Sequence, residues 1–242
     1  MPSVTALGQP LLHRYIVGGK LGWGNFSEVW KCWDRKRKRD VAVKVQKSDA
    51  GTTEQAHDEI KLLRSGQEGD ASDPARALVV RLLDEFTLRG PQGSHVCLAL
   101  ELLGPSLYHC LPQIGGISLA NVKLVMQRVL RGLEYLHDKA RIIHTDVKPE
   151  NVLLAKCGPC PDLTRFCPGL RVKLADLGNS CWREKHFSDG IGTQEYRAPE
   201  VILETGYDTQ GCGRDQEKPQ APMRGQLGHC IVVISVANCS FV

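Results

Sequence analysis

The chain has 242 residues, and its 42% hydrophobic and 24% charged content is that of an ordinary soluble globular protein. That length suits one large domain or two small lobes. The net charge of +4 is too small to indicate nucleic-acid binding by itself. No stretch reaches the about 18 apolar residues of a transmembrane helix, and residues 1–12 lack a signal-peptide pattern. We expect an intracellular protein whose 10 cysteines are mostly reduced thiols.

The first hundred residues are rich in strand-forming residues separated by turn signals. An antiparallel meander of three strands is predicted over 15–21, 28–33 and 40–45. Two more strands are predicted over 78–86 and 95–101, around a Gly-Pro turn at Gly90-Pro91. A helix capped by Thr52 or Thr53 is predicted over 53–64, and a polar loop over 66–74. The basic run at 35–39 could indicate nucleic-acid binding or a localisation signal, but we interpret it as a solvated turn between two strands.

The next part of the chain is mostly helical. Residues 118–138 carry apolar side chains at three- and four-residue steps, and Ser118 is the predicted N-cap. Short strands are predicted over 152–154 and 172–175, on either side of a segment rich in Cys, Pro and Gly. This order predicts an α+β fold with two lobes and a hinge near residues 101–104.

Residues 144–151, His-Thr-Asp-Val-Lys-Pro-Glu-Asn, combine three groups that phosphoryl transfer requires. The carboxylate can take the proton of the acceptor hydroxyl, the lysine can steady the phosphate, and the amide oxygen can hold a metal. Asp176-Leu177-Gly178 follows a predicted strand and adds a carboxylate ahead of a glycine turn. The two motifs together predict a site for phosphoryl transfer.

Residues 21–29, Leu-Gly-Trp-Gly-Asn-Phe-Ser-Glu-Val, lie between two predicted strands. Glycines there let backbone amides approach phosphate oxygens, although a plain hairpin turn also fits. A Rossmann motif is excluded because a strand follows, not a helix. Alternation places Ala42 and Lys44 on one face of the next strand. Glu59 is the expected ion partner of Lys44, with Asp58 as the competing candidate.

With Tyr196-Arg197-Ala198-Pro199-Glu200 added, residues 15 to about 205 resemble a eukaryotic protein kinase. Within that family the chain is most similar to the SR-protein kinases, which phosphorylate serines in Arg/Ser repeats of splicing factors. The features behind the narrower resemblance are Trp23, Thr145 and the segments 21–27, 58–63, 95–97, 144–151 and 175–182.

The resemblance implies a bilobal protein-kinase-like fold with a complete β-rich N-lobe and an incomplete α-helical C-lobe. The implied divisions are an N-terminal extension over 1–14, the N-lobe over 15–103, a partial C-lobe over 104–207 with a spacer insert over 155–170, and an unmatched, disordered tail over 208–242. It further implies ATP and Mg²⁺ as cofactors and Arg/Ser-rich protein substrates. The resemblance also implies a monomer located in the cytoplasm and nucleus. It implies no direct contact with nucleic acid or with a membrane.

The resemblance assigns a role to each motif residue. Asp146 would be the catalytic base and Lys148 would contact the γ-phosphate, while Arg197 would lie near the substrate-binding floor. Lys44, paired with Glu59, would hold the α/β-phosphates. The expected metal ligands are Asn151 and Asp176. The residues expected to contact ATP are Leu21, Gly22, Trp23, Gly24, Val29, Ala42, Lys44, Leu100, Glu101, Leu103, Asn151, Leu153 and Asp176.

The resemblance ends near Tyr207, after which the chain lacks helical periodicity. The family's remaining C-lobe helices, with the Arg partner of Glu200, are then missing, as after a shifted reading frame or an alternative exon. We expect the isolated chain to be only marginally stable, because the missing helices would leave apolar faces without partners. Whole domains are stabilised by only about 5–15 kcal/mol, so such a loss is serious. A truncated, catalytically impaired isoform that binds ATP or partners as a regulator is therefore the alternative function, and a kinase with another substrate class is a third.

The spacer contains Cys157-Gly-Pro-Cys160, which could begin a zinc site. A complete site needs four ligands at suitable spacing, so we prefer a structureless surface insert.

Thr145 occupies a position where many kinases use an Arg to clamp an activation-loop phosphate. Because Thr carries no charge, we expect activity to be independent of activation-loop phosphorylation. Phosphate transfer measured before and after phosphatase treatment should be equal. Loss of activity after the treatment would contradict this expectation.

Overall fold

The computed structural model describes residues 7–8, 10–91, 93–111, 116–156, 158–188, 190–204 and 207, without the side chains of Pro199 and Glu200. The chain divides into two compact units, of which the first comprises the residues up to 64 together with 80–103. The second comprises 65–79 and the residues from 104 onward. The predicted tail over 208–242 lies outside the described part.

The first unit contains a six-stranded antiparallel sheet with the order β1-β2-β3-β4-β6-β5. Its strands are β1 (Pro10–Leu11), β2 (Tyr15–Trp23), β3 (Ser27–Asp34), β4 (Arg39–Gln46), β5 (Leu82–Gly90) and β6 (Gly93–Glu101). Alternate apolar residues, including Val17, Cys32 and Val43, pack into one buried cluster. The exposed basic run at 35–38 is the turn between β3 and β4, in agreement with our interpretation of it.

Two boundaries in this region differ from the prediction. Helix α1 spans Ala50–Glu68, and the carboxylate of Asp49 accepts a hydrogen bond from Thr52 N at 2.9 Å. Asp49 therefore caps the helix, not Thr52 or Thr53, and the helix runs into the predicted loop. The strand predicted from residue 78 begins only at Leu82, because Pro74–Leu78 forms a 3₁₀ turn that starts at Asp73.

The second unit is built around helix α3, which spans Leu119–Glu134 and continues as a π-helical turn over Tyr135–Lys139. Ser118 caps α3 as predicted, since its hydroxyl accepts from Asn121 N. The other elements are α2 (Leu107–Cys110), β7 (Ile142–Ile143), β8 (Val152–Leu154), β9 (Val172–Leu174), β10 (Cys181–Trp182) and α4 (Pro199–Ile202). β7 pairs with β10 and β8 pairs with β9, both antiparallel.

The spacer is anchored to α3, contrary to the expectation of a structureless insert. Residues 158–170 contain no helix or strand, but the buried side chain of Asn121 binds them at three points. Its Nδ2 donates to Leu163 O at 2.8 Å and to Arg165 O at 2.7 Å, and its Oδ1 accepts from Cys167 N at 2.9 Å. The side chain of Leu163 is fully buried, so this segment is part of the packed unit.

One cysteine pair departs from the expectation of reduced thiols. Cys110 of α2 and Cys160 of the spacer form a disulfide with a Cα–Cα distance of 5.6 Å. The other described cysteines are free: Cys32, Cys97, Cys167 and Cys181. Within the described ranges there is no cluster of three His, Cys, Asp or Glu side chains able to hold a metal ion, and Cys157 lies outside them. Over the same residues, no helix has the length and apolarity to cross a membrane.

Asn121→Leu should loosen the spacer. The substitution keeps the branched shape of the side chain but removes the partner of three backbone groups, of which Leu163 O is buried, and a buried group left unpaired costs about 1–3 kcal/mol. We expect faster tryptic cleavage after Arg165, measured by mass spectrometry. Gln127→Leu, at an exposed position of the same helix, is the control and should cleave like the wild type. Equal cleavage of both variants would show that Asn121 does not hold the spacer.

Candidate active site

The Gly-rich motif forms the hairpin between β2 and β3. Gly22 pairs with Val29, and Gly24 N donates to Ser27 O at 2.8 Å, which closes the turn. A Cβ atom added at Gly22 or Gly24 would meet no atom within 4 Å, and neither residue has a positive φ. The fold therefore does not require glycine at these positions. Their absent side chains leave the backbone open to an approaching ligand.

Lys44 and Glu59 form the ion pair that the sequence predicts. Lys44 Nζ donates to the two carboxylate oxygens of Glu59 at 2.8 and 2.9 Å, and both side chains are buried. Gln46 Nε2 donates to the same carboxylate at 3.1 Å. Asp58, the competing candidate, pairs instead with Lys61 at the surface. The side chain of Lys44 is thus fixed by a buried carboxylate.

The remaining residues expected to contact ATP are distributed over both units. Leu21 is exposed on β2, and the exposed fraction of the Trp23 side chain is 80%. Ala42 of β4 pairs with Leu100 of β6, next to Glu101, whose N–H donates to Arg81 O. The first unit holds Leu21, Gly22, Trp23, Gly24, Val29, Ala42, Leu100, Glu101 and Leu103, and the second holds Asn151, Leu153 and Asp176.

The carboxylate of Asp146 is buried and surrounded by hydrogen-bond donors. Lys148 Nζ lies 2.8 Å from Oδ2, and Asn151 Nδ2 lies 3.3 Å from the same oxygen. Thr193 donates to Oδ1 from its backbone N at 3.0 Å and from Oγ1 at 2.7 Å. Burial raises the pKa of Asp146, but the hydrogen bonds from Lys148 and Thr193 outweigh it and hold the pKa below its ordinary value. The carboxylate is therefore ionised at neutral pH.

Thr193 is a site residue that sequence reasoning missed. Besides its two bonds to Asp146, its Oγ1 lies 2.5 Å from Lys148 Nζ. Arg197, expected near the substrate-binding floor, donates from Nε to Gly192 O, one residue before Thr193. The only signal available in the sequence was a hydroxyl residue four positions ahead of Arg197.

The two expected metal ligands flank one end of the β8–β9 ladder. Asn151 immediately precedes β8, and Asp176 follows β9 by two residues. Ala175 N donates to Asn151 O at 2.9 Å, which joins the two backbones there. Asn151 Nδ2 donates to Asp146 O at 2.9 Å, so the amide nitrogen is engaged and Oδ1 is the atom suited to a cation. The site thus offers hard oxygen donors, which Mg²⁺ prefers.

Residues 144–151, which we call the catalytic loop, are joined to the segment that follows β9 by neutral groups. His144 Nε2 donates to Ala175 O at 3.1 Å, and complete burial lowers the pKa of His144, which keeps it neutral. Ser180 Oγ donates to His144 O at 3.0 Å, and Thr145 Oγ1 donates to Asn179 O at 2.7 Å. These bonds add to the pairing of β7 with β10.

Comparison with known proteins defines the class. A sequence model of the protein kinase domain matches residues 15–212, so the chain belongs to the protein kinase family. The match extends a few residues past Tyr207, where the resemblance was expected to end.

The chain is also similar to several named protein kinases. It is 38% identical over 250 residues to the serine/threonine-protein kinase SRPK of Physarum polycephalum, which covers 84% of this chain and 58% of the relative. It is 50% identical over 150 residues to human SRSF protein kinase 3, covering 61% of this chain and 26% of that protein. Protein kinase dsk1 of Schizosaccharomyces pombe is 29% identical over 316 residues, with coverages of 81% and 58%. The chain thus spans between about a quarter and three fifths of these relatives.

Glu59→Gln should destabilise the first unit by about 3–5 kcal/mol, because it leaves a buried ammonium without its counter-charge. Asp58→Asn is the matched control, since it neutralises an exposed pair worth about 0–1 kcal/mol. Urea unfolding followed by tryptophan fluorescence measures the difference. Equal midpoints for the two variants would contradict a structural role for the Lys44–Glu59 pair.

Proposed function

We propose that this chain is an ATP-dependent serine/threonine protein kinase that transfers the γ-phosphate to serines of Arg/Ser-rich splicing factors. The observation that carries the proposal is the ionised Asp146 carboxylate, held by Lys148 and Thr193. The names of the relatives, SRSF protein kinase among them, support the substrate class.

In this reaction Asp146 orients the serine hydroxyl and receives its proton. The hydroxyl oxygen forms a bond to the γ-phosphorus, the bond from that phosphorus to the β–γ bridging oxygen breaks, and ADP leaves. A carboxylate with a lowered pKa is a weak base. It suits a loose transition state, in which positioning and charge stabilisation matter more than early proton removal. Lys148, 2.8 Å from this carboxylate, is placed to contact the transferred phosphate.

The donor set fits a magnesium-bound nucleotide. Asn151 and Asp176 would hold Mg²⁺ through an amide and a carboxylate oxygen, a small set typical of magnesium bound together with phosphates. Magnesium, when bound, would offset the charge of the phosphate oxygens. Lys44, fixed by Glu59, would contact the α/β-phosphates, and the open backbone at Gly22 and Gly24 would cover them.

We further propose that the chain acts as a monomer in the cytoplasm and nucleus, without direct contact with nucleic acid or membrane. Splicing factors as substrates support both compartments.

Asp146→Asn should abolish transfer while preserving the shape of the site. General-base and orienting roles contribute about 10²–10⁴-fold, so we expect a loss of at least about 100-fold. The measurement is ³²P transfer from ATP to an (Arg-Ser)₈ peptide, and a (Gln-Ser)₈ peptide is the control for the substrate class.

Three outcomes separate the alternatives. Transfer to the Arg/Ser peptide alone supports the proposal, and equal transfer to both peptides indicates a kinase with another substrate class. ATP binding without transfer in the wild type indicates the non-catalytic regulator and contradicts the proposal.

A further inference from the structure

Thr145 has an unusual conformation for its residue type. It lies at φ +63°, a left-handed region that β-branched residues rarely adopt, and its side chain is buried. Its hydroxyl donates to the backbone carbonyl of Asn179 at 2.7 Å. Such a backbone persists only where the surroundings stabilise it, and strain of this kind concentrates at functional sites.

Asn179 also contacts the proposed catalytic residue, Asp146. Its Nδ2 lies 3.3 Å from Asp146 Oδ2, so the residue held by Thr145 donates to the residue that follows Thr145. The adjacent Ser180 donates to His144 O at 3.0 Å, which holds the same stretch of backbone at a second point. The carbonyl and the side-chain amide of Asn179 are therefore both directed at the catalytic loop.

We propose that Thr145 and Asn179 are positioning residues for Asp146. Thr145 fixes the Asn179 backbone, and Asn179 in turn orients the carboxylate. The inference rests on the proposed kinase reaction and extends it to two residues that contact neither phosphate nor metal in the assignments above.

The physical basis is the distribution of donors on the two carboxylate oxygens. Thr193 restrains Oδ1, while Oδ2 receives Lys148, Asn151 and Asn179. Lys148 is also the group expected to contact phosphate, so its ammonium would be shared between the carboxylate and the transferred group. The amide of Asn179 has no assigned role toward phosphate, so its bond to Oδ2 can hold the carboxylate in place throughout the transfer.

The test compares Thr145→Val, Thr145→Ser and Asn179→Ala in the full chain. Val removes the hydroxyl at nearly constant volume, whereas Ser retains it. Thr87→Val, the same change at an exposed position of β5, is the control. We expect kcat to fall about 10-fold in the Val and Ala variants with little change in the KM for ATP. Ser should restore kcat, and the control should match the wild type.

The split between kcat and KM separates positioning from a merely structural role. A misplaced carboxylate slows the transfer step but leaves nucleotide binding intact, so kcat should fall in the Val and Ala variants while the KM for ATP stays close to the wild-type value. An unchanged kcat, a loss of nucleotide binding as large as the loss of kcat, or a Ser variant that behaves like Val, would overturn the proposal.

Hydrogen exchange tests the Thr145 contact without relying on activity. The amides of residues 180–183 should exchange faster in Thr145→Val than in Thr145→Ser. Equal exchange would overturn the positioning role of Thr145. A wild type without any transfer to Arg/Ser peptide would instead overturn the proposed function, and the exchange comparison would still decide the Thr145 contact.

Discussion

The second unit is organised around one buried, ionised carboxylate. Asp146 is surrounded by protein atoms and would be costly to ionise without partners. Its oxygens receive donors from the catalytic loop and from residues more than thirty positions later, among them Lys148, Thr193 and Asn179. The carboxylate is therefore both the reactive group and the point at which distant segments are joined. A segment that moved away would leave a charge without compensation, which is strongly unfavourable.

Neutral hydrogen bonds complete this arrangement. His144, Thr145 and Ser180 connect the catalytic loop to the backbone after β9 without a formal charge. Because neutral bonds depend little on ionic strength, salt should have little effect on this junction. Charged contacts occur at Lys44–Glu59 and at Asp146–Lys148, where the proposed reaction handles phosphate.

Local patterns predicted the parts of the fold that local forces determine. Strand alternation predicted the face of β4 that carries Lys44. Glu59 lies only 15 residues later, on the helix that follows, and was predicted as its ion partner. The apolar periodicity of α3 and its N-cap at Ser118 were also predicted correctly from the sequence. The cap of α1 was predicted wrongly, although Asp is preferred to Thr as an N-cap, and the hydrogen bond from Thr52 N identifies Asp49 as the cap.

The missed features are tertiary. Thr193 and Asn179 reach Asp146 across 47 and 33 positions, and no periodicity encodes such contacts. The Cys110–Cys160 disulfide has a sequence separation of 50 and matches no recognised spacing. Asn121 holds the spacer through backbone atoms of residues 163, 165 and 167, so the identity of those residues carried little information.

The most direct test of the account is the ionisation of Asp146 in the intact chain. Carbon-13 labelling of the aspartate carboxyl groups, with Asp146→Asn to assign the resonance, allows a titration by NMR. The account predicts a midpoint below the ordinary aspartate value of about 3.9, because Lys148 and Thr193 stabilise the charged form. A midpoint at or above that value would contradict it, since burial would then outweigh the hydrogen bonds on which the proposed catalytic site depends.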